Sequence, residues 1–163
     1  MRNDPRGQAL VELALVVVIV SLLGFAVIDL GWIFYARLTM QHAVREGARL
    51  AVTGCSDGSP SRRAALNAKV REQSMGLYDR NLHNPKEPKV SVLPLDVPAF
   101  ANYTGAPVED GGDPGEPNRL IMVSLTYTCP LLTPVLRPVF GPTYTFTARS
   151  TMRNEDFPAK EGK

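Results

Sequence analysis

Residues that carry metal or nucleophilic chemistry are scarce in this chain. Two cysteines, Cys55 and Cys129, and two histidines, His42 and His83, stand among 163 residues. None of the four lies at a metal-ligand spacing, which argues against a zinc site. The sequence holds no nucleophile elbow, no phosphate loop and no serine–histidine–carboxylate arrangement. No enzymatic activity, cofactor or small-molecule substrate is therefore expected. An excess of one charge is also missing, since 18 Lys+Arg against 16 Asp+Glu leave +2. That balance is too weak and too dispersed for a nucleic-acid partner. The one basic doublet, Arg62-Arg63, reads as a solvated helix face.

What the chain does have is a long apolar run close to its start. A short polar leader, Met1–Gly7, precedes Gln8-Ala9-Leu10-Val11-Glu12. The run Leu13–Ile28 then carries no charge, and only Ser21 and Gly24 interrupt its aliphatic and aromatic character. A bilayer span needs roughly 20 residues, and the apolar character resumes after Asp29 with Leu30, Trp32, Ile33, Phe34 and Tyr35. The membrane part is placed at about residues 9–36. Helical rise puts Glu12 and Asp29 about 25 Å apart, so if one lies near one face of the hydrocarbon the other lies near the opposite face. Trp32 and Tyr35 then fall in the interfacial aromatic belt. Asp29 has two readings, an interfacial residue or a buried polar contact in a helix bundle. A cleaved secretory signal is the rival for the whole segment. It requires a small-residue cleavage site after the apolar core, and none follows here. Charge does not orient the span, because Arg37, Arg45 and Arg49 flank its far end.

The helical pattern continues beyond the span. Met40, Ala43, Val44, Gly47 and Ala51 recur on one face, with Arg37, Gln41, Arg45, Glu46 and Arg49 opposite. Gly54 is a plausible stop, so one helix is expected over 8–53. The stripe of alanine and glycine around Gly47 permits close approach, either of the chain's own domain or of sibling subunits. The remaining residues, 54–163, suffice for one small α+β domain. A second helix is expected with Ser59 as cap, Pro60 in the first turn and Gly76 as stop. Its charges, Arg62, Arg63, Lys69, Arg71 and Glu72, suggest a solvated face. Lys89–Leu93, Arg119–Cys129 and Thr143–Met152 read as three strands of a small antiparallel sheet.

Two loops carry open readings. The segment 101–118 holds Glu109, Asp110, Asp113 and Glu116. Their spacing does not follow an EF-hand, and an exposed acidic loop is preferred to a calcium site. Between the last two strands, Pro130, Pro134, Pro138 and Pro142 alternate with apolar residues, which argues against a regular helix or central strand. That stretch reads as an irregular cover over the core or as a hydrophobic docking patch. Cys55 follows the helix stop and Cys129 ends a strand-like run. A bridge between them would contribute on the order of 4 kcal/mol in an oxidising compartment; two buried thiols are the alternative.

The stretch Arg6-Gly7-Gln8-Ala9-Leu10-Val11-Glu12, with Ile28-Asp29-Leu30-Gly31, Phe34-Tyr35-Ala36-Arg37 and Ala43-Val44-Arg45-Glu46-Gly47-Ala48-Arg49, resembles the TadE-like family. These are pilin-like subunits of bacterial tight-adherence (Flp) pilus systems. The ending Ala148–Glu155 is also similar to that family's. At the position after Glu12 this chain has Leu13, where the family and its relatives often have an aromatic residue. The resemblance implies a pseudopilin of the bacterial inner membrane, single-pass, with a cytoplasmic N-terminus and a periplasmic domain that can join an extracellular pilus. It implies cleavage between Gly7 and Gln8 by a prepilin peptidase, which makes Glu12 the fifth residue of the mature chain. A carboxylate in an apolar helix is costly unless paired, and the free amine of a neighbouring subunit is its natural partner. The implied partners are other pilin-like subunits, the pilus assembly platform, the peptidase and inner-membrane lipid. The contrasting expectation is a membrane-anchored interaction domain with no filament role.

Overall fold

In the computed structural model, residues 5–54, 58–84, 86–93, 114–134 and 137–157 are described. The elements run α1 (Pro5–Val52), α2 (Arg62–Gln73), β1 (Lys89–Leu93), β2 (Leu120–Pro130), α3 (Arg137–Phe140) and β3 (Thr143–Arg153). The fold is α+β: a long apolar N-terminal helix, a second helix and a three-stranded antiparallel sheet in the order β1-β2-β3. The chain divides into two units, Met1–Tyr35 with Pro130–Tyr144, and Ala36–Cys129 with Thr145–Lys163.

The second unit holds the core. Met40, Ala43, Val44, Ala48 and Ala51 of α1 are fully buried, as are Leu66 and Val70 of α2. Gly47 explains how the two helices come together. A Cβ there would overlap the Val70 methyl group and lie 3.4 Å from the Leu66 carbonyl oxygen. At Gly47 the alanine and glycine stripe is thus covered by the chain's own second helix. In the sheet, β1 pairs with β2 in the register Val90↔Val123 and Val92↔Ile121. Val90, Ile121, Val123, Leu125 and Tyr127 are buried, and the Tyr127 ring lies 5.5 Å from that of Phe146 on β3. Thr126 bonds Thr147 and Thr128 bonds Thr145 across β2 and β3, side-chain pairs of the kind that stabilise antiparallel ladders. Burial pushes the Tyr127 phenol above its ordinary value, and desolvation followed by the nearby Glu87 carboxylate does the same for Tyr78.

Two sequence expectations for α2 are corrected. Its cap is Ser61, not Ser59: Ser61 is extended (φ −153°, ψ 159°), and its hydroxyl accepts from the Ala64 N–H at 3.1 Å. Pro60 therefore precedes the helix, and Ser74 closes it two residues ahead of Gly76. Arg62, expected on a solvated face, is buried. Its guanidinium donates to the Ala51 carbonyl at 2.7 Å and the Gly115 carbonyl at 2.6 Å, and it lies 4.6 Å from the centre of the Phe157 ring. The last carbonyls of a helix lack intrahelical partners, and here a distant cation serves one of them. Val52 receives the Glu155 N–H at 2.9 Å, and Leu50 receives Thr53 through its N–H and its hydroxyl. Gly54 is required where α1 stops. Its φ is +74°, and a Cβ would lie 2.5 Å from the Phe157 ring.

The first unit contains α1 as far as Tyr35 and the connection between β2 and β3. That connection is a loop closed at its neck by the Leu131 N–H on the Pro142 carbonyl at 3.1 Å. Despite its prolines it contains one helical turn, α3, with the Gly141 N–H bonded to the Arg137 carbonyl at 2.9 Å. Pro138 lies in the first turn of that element, where a missing N–H costs nothing.

Candidate membrane and assembly segment

The N-terminal part of α1 presents apolar side chains in every direction. The consecutive residues Leu15, Val16, Val17, Val18, Ile19 and Val20 are all exposed, and together they go round more than a full turn of the helix. Helices hydrophobic all round belong in a protein core or in a membrane, and no part of the most apolar window is buried in this protein. Among the described residues this is the one helix long and apolar enough to cross a bilayer.

The residues singled out from the sequence fall at three levels. Gly7 and Gln8 are exposed on the first turns of α1, and nothing lies within 4 Å of where a Gly7 Cβ would be. Glu12 is exposed too, and among the described residues it has neither an ionic nor a hydrogen-bonding partner. Any partner for its carboxylate must come from outside the described residues.

Asp29 is different. It is 2 % exposed. Its Oδ1 accepts the N–H groups of Leu132 at 2.8 Å and Thr133 at 3.1 Å, and its Oδ2 accepts the Thr133 hydroxyl. This is a buried polar contact, made to the chain's own proline-rich loop instead of to a helix bundle. A carboxylate that accepts several donors escapes most of the cost of burial. Trp32 and Tyr35 follow on the helix, with ring centres 5.8 Å apart.

Gly47 sits in the α1–α2 contact of the second unit. Cys129 is buried at the end of β2, whereas Cys55 lies outside the described residues, as do residues 101–113 of the acidic loop. Sequence reasoning missed the partners of Asp29 and the burial of Arg62. The one signal for the former was the hydroxyl of Thr133 within a proline-rich run.

Residues 7–49 match the family model described as TadE-like protein. No curated protein and no solved structure matches the chain. The matched stretch begins at Gly7 and contains Glu12, Asp29 and Gly47. Over those residues the chain is similar to TadE-like proteins, and the same stretch contains the apolar part of the one helix, among the described residues, that is long enough to cross a membrane.

Proposed function

We propose that the protein is a minor pseudopilin, or pilus-assembly subunit, of a bacterial tight-adherence pilus system, matured by a prepilin peptidase. The observation that carries this reading is the coincidence of the TadE-like match with the helix that exposes apolar side chains on all faces. In this reading Met1–Gly7 is a cytoplasmic leader and residues 54–163 form the main part of a periplasmic domain. A membrane-embedded peptidase cuts between Gly7 and Gln8. Gly7 suits such a site because a bare backbone enters a narrow cleft without steric penalty. The helix must fray locally for cleavage, which is easy in a first turn whose N–H groups lack partners. The exposed Glu12, without a partner among the described residues, then meets the new amino terminus of a neighbouring subunit and sets the register of packed helices, because an unpaired carboxylate is disfavoured at that depth. The role is one of assembly, not of catalysis.

Intact mass measured on protein from a host with an active prepilin peptidase tests the processing step. Loss of Met1–Gly7 is expected, and a mature chain that still begins at Met1 overturns it. Glu12→Ala tests the pairing. The variant is expected at normal level in the membrane but absent from sheared pili. Normal incorporation of the variant removes any register-setting role for Glu12.

A further inference from the structure

The proline-rich loop between β2 and β3 has a defined height on α1. Leu13–Ile28 is free of charge and almost wholly exposed, and its sixteen residues give about 24 Å of helix, most of the roughly 30 Å hydrocarbon thickness of a bilayer. Asp29 is the first ionisable residue after it, at the point where the apolar core ends. The Leu132 N–H lies 2.8 Å from the Asp29 carboxylate, so Leu132 stands at that same height. A single exposed leucine is unremarked on a water-facing surface; its height gives this one a partner.

The loop's own pattern agrees. Leu131 and Thr133 face inward at 5 % and 8 % exposure, while Leu132 is 50 % exposed and Pro134 is exposed beside it. Arg137 is also exposed, and it is held close by donating to the Leu131 carbonyl at 3.0 Å. An outward apolar tip beside a cation is the combination that settles at the boundary of headgroups and acyl chains. The Trp32 and Tyr35 pair lies at the next turns of the helix, where aromatic residues favour the same zone.

We propose that this loop is a second, interfacial membrane contact. Asp29 latches it onto the spanning helix, Leu132 enters the acyl boundary, and Arg137 meets lipid phosphate. A helix anchored only by its apolar run is free to rotate about its axis and to slide along it. A loop fixed to one side of that helix and seated in the interface restricts both motions. The inference rests on membrane anchoring and not on the pilus role, so failure of leader cleavage leaves it intact.

Trp32 is the only tryptophan, which permits a direct test in the full chain. The double variant Trp32→Phe, Leu132→Trp is reconstituted into vesicles of phosphatidylcholine and phosphatidylglycerol, with bromine placed high or deep on the acyl chains. Emission from position 132 is expected to be lost to the shallow bromines at least as strongly as that of Trp32 in the native chain. Aqueous acrylamide is expected to quench it weakly. Adding Thr133→Val, which removes one latch bond, should shift the balance toward acrylamide. Quenching by acrylamide but not by bromine, with the latch intact, overturns the proposal. Shielding from both quenchers also overturns it, because it marks a protein surface, such as a second copy of the chain, over Leu132.

Discussion

Between Leu10 and Leu38, α1 leaves almost every large apolar side chain exposed; from Met40 to Val52 its buried residues are mostly small, and α2 covers part of them. Both stretches are apolar and both are helical. They differ in side-chain size and in how the apolar residues are distributed around the axis. A helix that meets hydrocarbon needs bulk on all faces. One that meets another helix at close range needs a single face of alanine and glycine, because every added methylene there displaces its neighbour. Apolar content alone therefore does not reveal a helix's solvent, whereas the size and the angular spread of its apolar residues do.

The largest effects are expected on the packed side. If Cys55 and Cys129 are bridged, reduction should lower the domain's unfolding free energy by on the order of 4 kcal/mol. Denaturant titration of the full chain in micelles, with and without reductant, measures it, and non-reducing peptide mapping identifies the pair. Two alkylatable thiols in material taken from cells without reductant would reject the bridge. Gly47→Val comes next. It forces bulk against Val70 and the Leu66 carbonyl, and a loss of about 1–3 kcal/mol is expected in the same titration.

Titration sharpens the contrast further, because both shifted tyrosines belong to the packed unit. Burial holds the Tyr127 and Tyr78 phenols neutral beyond their ordinary value of 10.0. The unfolded chain gives up these protons first, so stability is full below about pH 10 and declines as pH rises beyond it. Unfolding midpoints that fail to fall between neutral and strongly alkaline pH would contradict this, as would Tyr127→Phe leaving the alkaline decline unchanged. The smallest effect is expected on the lipid-facing side. Leu23→Ala should change domain stability by less than about 0.5 kcal/mol, although the same truncation at a covered leucine such as Leu66 typically costs about 2–5 kcal/mol.

Patterns local in sequence foretold their elements closely. β1 is Lys89–Leu93, as its alternation indicates, and β2 is displaced by a single residue from the expected run. α1 follows from its continuous helical periodicity. What the sequence concealed depends on partners far along the chain. Asp29 and Leu132 are 103 positions apart, and no periodicity links them. Arg62 looks like its neighbours in a charged helix until the end of α1 supplies a carbonyl for it. The choice between Ser59 and Ser61 as cap was also beyond composition, since both are good caps; backbone conformation at Ser61 decides it. Along α1 the chemistry of each site residue was legible, but what each one touches was not.

The end of α1 bears on how a pull along the helix would enter the domain. Its last carbonyls are gripped by the Arg62 guanidinium and the Glu155 N–H, from segments that lie on either side of the sheet in sequence. Tension drawn along the helix axis reaches both attachments at once, with the Gly47 contact sharing it in shear. A pull along α1 would therefore load these bonds together, and the helix terminus would act as a rivet between helix and domain.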